Sequence, residues 1–422
     1  MIPPSRNPSR LLASLASVAT ILVVAACTQS SAATASYTSS SASSSMHVEQ
    51  GSAAQVALGR HSVLSHDCGG CHGGGSNPEA KGWLAGVMSP EQEFKIGPCA
   101  FTPGAQPCWT TRPKNLTPDN TTGIGRFSER QIFNALRYGL RPEETPDVEI
   151  TSTTPGKGNF PVNPHYLAVP MPWISWRFMP DAELRAIAAY LKRGLKPVSN
   201  KVADSEGPPD FWASFYVVDS IGPYPARAYP TSNENPGVAN AQLALGRHLI
   251  ISHACGECHG GGDNPAGKGW LQGVRSPQQE FKIGPCSLDP SAKPCFVTRP
   301  KNLTPDNTTG TGRFTERQIF NALRYGLRPE ETPDVTITGT TPGKGNFPAN
   351  PHYLAPPMPW TGWRYMSDKE LKAIAAYIKR GLKPVSNKVQ DSDRPPDFWA
   401  SAYTLEAIGP NPPKPYPTAN ER

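Results

Sequence analysis

The sequence predicts an all-α, loop-rich protein made of two tandem domains with the same fold. The strongest observation is an internal repeat. Residues from about 55 to 222 recur without insertion or deletion, at the offset that separates Cys68 from Cys255 (255 − 68 = 187). Apolar residues follow helical spacing in both copies, and no strong alternating pattern indicates a strand. The 422 residues include 48 Pro and 38 Gly, which favours compact domains with much irregular structure.

Each copy opens with a predicted helix, over Ala54–His66 in the first copy and Ala241–His253 in the second. Gly59 and Gly246 lie in the middle of these helices, where Gly costs about 1 kcal/mol relative to Ala. We therefore expect another helix to approach closely at both glycines.

A middle helix is predicted to begin at Ser128, where Gln131 three residues later completes a capping box. Gly139 is expected to end this helix. The equivalent helix of the second copy begins at Thr315 and ends at Gly326.

The last helix of each copy is predicted over Asp181–Arg193 and Asp368–Arg380. Its apolar residues recur at helical spacing, so one face should pack against the core. In the first copy this face consists of Leu184, Ile187, Ala188 and Leu191.

A C-x-x-C-H pentad follows the first helix of each copy, at Cys68–His72 and Cys255–His259. This spacing is the attachment signature of a c-type haem. The two thiols add to the haem vinyl groups, and the adjacent histidine supplies one axial ligand to the iron. We therefore expect two covalently bound haem c groups. The attachment residues are Cys68, Cys71, Cys255 and Cys258, and the iron ligands are His72 and His259. Redox or zinc dithiols are the alternative, although zinc needs four ligands of this kind per site.

The N-terminus has the features of a lipoprotein signal peptide over residues 1–26. Arg6 and Arg10 form a positive region, and Leu11–Ala26 is an apolar run too short for an ordinary membrane span. The run ends in Val-Ala-Ala before Cys27, which resembles a bacterial lipobox. Cys27 is then the lipid-carrying first residue of the mature chain, and the lipid holds the protein on a membrane. Ordinary cleavage that leaves a free thiol is the alternative.

The remaining boundaries follow from composition. Residues 27–52 are mostly Ser, Ala and Thr, and we expect a flexible tether there. The two domains are expected at 53–225 and 238–422, with a linker at 226–237. Thr28 after the cysteine favours the outer membrane, on the periplasmic side of the cell envelope.

Removing Arg6 and Arg10 with the signal peptide lowers the formal net charge from +7 to +5, and no basic block indicates nucleic-acid binding.

Four further cysteines form two pairs that obey the repeat, Cys99 with Cys108 and Cys286 with Cys295. An oxidising periplasm favours disulfides between them. Each short loop that such a bond closes should contribute about 2–3 kcal/mol on the chain-entropy model. A redox-active pair is the alternative, but it lacks the C-x-x-C spacing.

These residues resemble class I cytochrome c domains, whose skeleton is a glycine-bearing first helix, C-x-x-C-H and a last helix with an aromatic residue, here Tyr190 or Tyr377. The resemblance extends to bacterial mono- and dihaem cytochromes, including cytochrome subunits of membrane alcohol dehydrogenases. It rests on Asn115-Leu116-Thr117-Pro118-Asp119, Thr122-Gly123-Ile124-Gly125, Met171-Pro172 and Tyr190-Leu191. The second copy departs mildly with Thr309-Gly310-Thr311-Gly312, and the resemblance omits the segments 99–108 and 151–170.

The resemblance implies that methionine closes the sixth position of each iron, which raises the haem potential. Met171 and Met358 obey the repeat and lie between prolines, where a rigid loop can direct sulfur at iron. Met179 and Met366 also obey the repeat, but they stand at a hydrophobic-staple position, so we expect them to pack at the helix end.

Histidine is the other candidate for the sixth position. His165 and His352 lie six residues before the candidate methionines, and their ligation would give lower-potential haems. Two more histidine pairs lie on the first helices, and we expect them at the surface or near haem propionates: His61 with His248 and His66 with His253. Arg112, Lys114 and Asn115 are further candidates for propionate contacts, with ordinary surface solvation as the alternative.

The sequence therefore predicts a lipid-anchored dihaem cytochrome c that carries single electrons between periplasmic or membrane redox proteins and is not itself an enzyme. A dihaem peroxidase, or an oxidoreductase of small inorganic substrates, would need inequivalent haems with one open site, whereas the haem motifs here match pair for pair. The other alternative is an electron-transfer subunit of a periplasmic dehydrogenase complex, which differs only in its partner.

Overall fold

The computed structural model describes part of the chain, and all described residues belong to one compact unit over His47–Arg422. The described residues are 52–97, 99, 105–206, 232–236, 240–262, 264–283, 286, 293–392 and 419–422. The predicted signal peptide, Cys27, nearly all of the tether and part of the linker lie outside them. Within the described ranges, no helix combines the length and the apolar character needed to cross a bilayer.

Among the described residues, the first repeat contains five α-helices and one short strand pair. The helices are α1 (Ala53–Ser65), α2 (Cys68–His72), α3 (Glu129–Tyr138), α4 (Trp173–Trp176) and α5 (Asp181–Ala189). Strands β1 (Phe94–Ile96) and β2 (Trp109–Thr111) pair antiparallel, with Phe94 opposite Thr111. Short 3₁₀ turns occupy Pro90–Gln92 and Ile124–Arg126, and α5 continues as a π-helix over Tyr190–Gly194.

The second repeat has the same elements in the same order. Its helices are α6 (Ala241–Ser252), α7 (Cys255–His259), α8 (Glu316–Tyr325), α9 (Trp360–Trp363) and α10 (Asp368–Ala376). Strands β3 (Phe281–Ile283) and β4 (Phe296–Thr298) pair antiparallel, the 3₁₀ turns are Pro277–Gln279 and Thr311–Arg313, and a π-helix covers Tyr377–Gly381. The described chain is thus rich in helix and loop. The two strand pairs were not predicted, because three residues are too few to show an alternating pattern.

The ends of the middle helices agree with the prediction. The Ser128 hydroxyl accepts a hydrogen bond from the Gln131 backbone N–H, and the Gln131 side chain accepts one from the Ser128 N–H, both at 3.1 Å. Gly139 ends α3 with a left-handed φ of 67°, which glycine adopts without strain. The last helix differs from the prediction in its final turn, because the π-helix begins at Tyr190.

Helix α1 packs against α5 at the predicted glycine. A Cβ atom on Gly59 would lie 1.9 Å from the carbonyl oxygen of Ala186, and one on Gly246 would lie 2.1 Å from that of Ala373. Any side chain at these positions would push the two helices apart. The expected close approach is confirmed in both repeats, and it offsets the cost of a mid-helix glycine.

The segment that ends the chain packs on the first repeat. Glu421 is almost fully buried, forms an ion pair with Arg60 and accepts a hydrogen bond from the Tyr190 hydroxyl at 2.8 Å. The side chain of Asn420 donates to the carbonyl of Pro78 at 2.7 Å. These contacts tie the last residues of the second repeat to α1 and to the end of α5.

The linker makes the same contacts on the second repeat. Glu234 pairs with Arg247 and accepts from the Tyr377 hydroxyl at 2.7 Å, while Asn233 donates to the Pro265 carbonyl at 2.7 Å. Each of these residues lies 187 positions from the residue that makes the equivalent contact on the first repeat. The segment that follows each repeat is therefore bound to the other repeat, and we call residues 232–235 and 419–422 the exchanged segments.

We expect Glu421→Gln to lower the free energy of unfolding by about 2 kcal/mol, because a hydrogen-bonded charge is removed while Arg60 stays in place. Urea unfolding followed by circular dichroism measures this change. Glu330→Gln is the control, since its pair with Arg313 is more than 40% exposed on both sides and should contribute little. Equal effects of the two substitutions would contradict a structural role for the exchanged segment.

Candidate functional site

Each C-x-x-C-H pentad forms one short helix that lies directly after the first helix of its repeat. A left-handed residue makes the bend between the two helices, Asp67 with φ 52° in the first repeat and Ala254 with φ 54° in the second. Helix α2 then packs on Trp83, so closely that a Cβ atom on Gly69 would lie 2.4 Å from the indole nitrogen. The first variable position of the pentad is thus restricted to glycine by this contact.

The pentad histidine is oriented by a backbone carbonyl. His72 Nδ1 lies 2.7 Å from the carbonyl oxygen of Lys114, and His259 Nδ1 lies 2.7 Å from that of Lys301. A carbonyl only accepts hydrogen bonds, so Nδ1 carries the proton and Nε2 keeps its lone pair. Burial lowers the pKa of both histidines, which keeps the rings neutral near pH 7. No described residue forms a hydrogen bond with either Nε2 atom.

A buried asparagine holds this carbonyl in place. The Asn115 side chain donates to the Val198 carbonyl at 2.8 Å, and its oxygen accepts from the backbone N–H of Thr117 at 2.9 Å. The Thr117 hydroxyl also donates to Asn115, and the whole group is repeated at Asn302. Because the same hydrogen bonds occur in both repeats, we assign the Asn-Leu-Thr-Pro motif the role of fixing the chain beside the histidine. The motif can be seen in the sequence, but this role cannot.

The four pentad cysteines are free thiols. Burial raises the pKa of Cys68 and Cys255 to about 12, so both are protonated near pH 7. The disulfide prediction is confirmed for the other two pairs, since Cys99 is bonded to Cys108 and Cys286 to Cys295, with Cα atoms 5.4 and 5.2 Å apart.

The donor set suits a c-type haem. Each site offers two free thiols for thioether bonds and one neutral imidazole whose Nε2 is available to iron, held by a hydrogen bond at Nδ1 as metal-bound histidines require. Across the described parts of the chain, no three His, Cys, Asp or Glu side chains gather into a group that could hold a metal ion alone.

Each candidate methionine lies in the repeat of its pentad. Met171 is partly buried and packs against the same apolar cluster as Cys68, while Met358 packs with Cys255 against the second cluster. Met179 and Met366, in contrast, are only 2% exposed and belong to the two cores. Their burial agrees with the packing role expected of them.

The alternative ligands His165 and His352 lie at the surface. Their side chains are 42% and 44% exposed, and each lies 3.5 Å from a carboxylate, Glu144 for the first and Glu331 for the second. Both rings are thus engaged in polar surface contacts.

Arg112 and Lys114, the candidates for propionate contacts, form ion pairs with Glu93 at 2.6 Å and with Asp204 at 2.9 Å. His66 and His253 are not surface residues near propionates as expected, because their rings stack on each other between the two repeats.

We expect Asn115→Ala to lower the free energy of unfolding by about 2–3 kcal/mol, because it leaves the N–H of the buried Thr117 without its partner and removes one of two hydrogen bonds to the Val198 carbonyl. Asn120→Ala is the control, since Asn120 is exposed in the same loop. Urea unfolding of both variants measures the difference. A loss no larger than that of the control would contradict the anchoring role of Asn115.

Comparison with known proteins identifies relatives that are cytochrome subunits of dehydrogenases. The chain is 26% identical over 357 residues to the gluconate 2-dehydrogenase cytochrome c subunit of Pantoea cypripedii, which covers 82% of this chain and 64% of that protein. It is 26% identical over 283 residues to the cytochrome c subunit of the quinone alcohol dehydrogenase of Gluconacetobacter polyoxogenes, covering 66% and 49%. The fructose dehydrogenase cytochrome subunit of Gluconobacter japonicus is 25% identical over 159 residues, covering 38% and 25%.

No protein-family model matches the chain. The chain spans about half to two thirds of the length of the first two relatives. These matches confirm the resemblance predicted from the motifs, because all three relatives are cytochrome subunits of dehydrogenases. The homologues of this chain are therefore cytochrome c subunits of dehydrogenases, at about one quarter identity.

Proposed function

We propose that this chain is a dihaem c-type cytochrome that transfers single electrons, with one covalent haem in each of two tandem class I-like domains, 53–225 and 238–422. The observation that carries the proposal is the imidazole geometry. In both repeats a C-x-x-C-H histidine is neutral and fixed at Nδ1 by a backbone carbonyl, which leaves Nε2 for iron. Cys68 with Cys71, and Cys255 with Cys258, supply the thioether bonds.

Met171 and Met358 are the proposed sixth ligands. Each packs on the apolar cluster that also contacts the first cysteine of its pentad. The histidines His165 and His352 are engaged with surface carboxylates instead. A haem with both axial positions filled cycles between Fe(III) and Fe(II) and offers no position for a substrate.

The function is electron transfer without substrate chemistry. A dihaem peroxidase needs one haem that differs from the other and has an open site, but the supporting contacts here occur in both repeats. His72 and His259 have the same carbonyl partner at the same distance, and Asn115 and Asn302 make the same bond. This matching favours two equivalent, closed sites.

The partner is proposed to be the catalytic subunit of a periplasmic dehydrogenase, from which this chain accepts electrons. The names of the relatives support this assignment over a free carrier, because all three are subunits of dehydrogenases. Cys27 is proposed to carry the lipid that anchors the protein to a membrane, with the outer membrane favoured by Thr28. Residues 27–52 would then give the haem domains reach above the bilayer.

We expect two haems per chain, measured by intact mass and by the pyridine haemochrome absorbance of the purified protein. Replacing both Cys68 and Cys71 by Ser should leave one haem, because thioether attachment needs the two thiols. Replacing Cys99 and Cys108 by Ser is the control and should leave two. Bound zinc in place of haem, or haem loss in the control alone, would overturn the proposal.

We expect Met171→Leu to remove the first repeat's share of the methionine-to-iron charge-transfer band in the oxidised spectrum, and to lower the potential of one haem. Met179→Leu is the matched control, since it removes a thioether of the same repeat from the core at nearly constant volume. An unchanged band in Met171→Leu, or an equal loss in both variants, would rule out Met171 as the ligand.

A further inference from the structure

The two repeats meet through the ends of their first helices. His66 follows α1 and His253 follows α6, and their imidazole rings stack with centroids 4.1 Å apart and planes inclined by 14°. Trp176 lies edge-on to His66 at 6.1 Å, and Trp363 lies edge-on to His253 at 6.3 Å. The four rings form a continuous series from one repeat to the other, which we call the ring series.

Polar contacts around the ring series hold the repeats together. His61 Nε2 lies 2.9 Å from Glu370, and His248 Nε2 lies 3.3 Å from Glu183, each across the interface. The hydroxyls of Ser76 and Thr361 are 2.7 Å apart. The apolar clusters also interlock, since Phe178 packs on the second cluster and Tyr365 on the first. The position of the stacked rings is therefore fixed from several sides.

The chemistry of the stacked pair is unusual for packing alone. His66 Nδ1 lies 2.8 Å from the Ser62 carbonyl and His253 Nδ1 lies 2.8 Å from the Leu249 carbonyl, so each Nδ1 donates and each Nε2 keeps its lone pair. Both Nε2 atoms are buried, and no residue in the described part of the chain forms a hydrogen bond with them. A buried polar atom without a partner costs free energy that a leucine or phenylalanine would not cost.

Sequence position connects this contact to the haem sites. His66 is two residues from Cys68, and His253 is two residues from Cys255. A route from one attachment cysteine to the other through these histidines follows covalent bonds except for one through-space step, between stacked rings whose centroids are 4.1 Å apart. Both rings are neutral near pH 7 because burial lowers the pKa of His66 to about 4 and that of His253 well below its usual value.

We propose that the His66–His253 stack is the contact through which an electron passes between the two haem sites. The inference rests on the proposed dihaem function. One electron leaves Fe(II) of one site and arrives at Fe(III) of the other, and no bond forms or breaks. The rings stay neutral, so no proton has to move with the electron. The two histidines act by holding their rings against each other between the haem sites. The surrounding interface fixes this contact.

The test measures intramolecular electron redistribution after pulse radiolysis of the oxidised protein. All variants also carry Met171→His, so that the two haems differ in reduction potential and in absorption spectrum. The protein with this substitution alone is the background protein. Replacing His66 and His253 together by Leu should slow redistribution about tenfold, equivalent to about 1.4 kcal/mol in the effective barrier. Replacing both by Phe preserves stacked rings and should keep the rate close to that of the background protein.

Three further measurements separate this role from a structural one. Replacing His165 and His352 by Leu removes one surface histidine from each repeat, away from the interface, and should leave the rate unchanged. Haem content, both midpoint potentials and the thermal unfolding temperature should stay constant in the Leu and Phe pairs. If the double Leu variant does not fold, the single variants His66→Leu and His253→Leu replace it, and each should slow the transfer.

An unchanged rate in the Leu pair, or equal slowing in the His165 and His352 control, would overturn the inference while leaving the dihaem function intact. Fewer than two haems in the unsubstituted protein would instead refute the dihaem function itself, and the haem assay shows this before any rate is measured.

Discussion

The hydrogen bond from His72 Nδ1 to the Lys114 carbonyl, repeated between His259 and Lys301, is the interaction on which the rest of the account depends. It decides which ring nitrogen carries the proton, and therefore which one can bind iron. Much of the surrounding sequence serves this geometry. Asn115 fixes the carbonyl, Trp83 restricts the pentad to a glycine at its second position, and the rigid bend at Asp67 sets the direction of the pentad helix. Without this bond the C-x-x-C-H motif would be two thiols beside a freely rotating imidazole.

The internal repeat is more than two copies placed in series. The segment that follows each repeat binds the other one, through Glu234 on Arg247 and Glu421 on Arg60. The first helices then meet end to end at His66 and His253. Each repeat thus contributes both a site and the parts that hold the other repeat in place. If the protein moves electrons between two centres, as we propose, a fixed separation matters more than the stability of either half, because transfer depends on a constant distance between donor and acceptor.

The features that follow local rules could be predicted from the sequence. The capping box at Ser128, the close approach at Gly59 and the disulfide partners all depend on neighbouring residues or on simple covalent chemistry. The exchanged segments and the stacked histidines could not, because nothing local shows which surfaces of two copies face each other. One feature of the sequence does point to the exchanged segments. The pattern Tyr-Pro-Thr-x-Asn-Glu over residues 229–234 recurs over residues 416–421 at the repeat offset, beyond residue 222.

An optical redox titration of the intact protein tests the central claim most directly, because it reports haem number, ligand type and equivalence together. The account predicts that each chain takes up two electrons at similar potentials, with both haems low-spin in the oxidised and reduced states and both showing the signature of histidine and methionine ligation. A high-spin haem in the resting protein, uptake of only one electron per chain or bis-histidine spectra would contradict it.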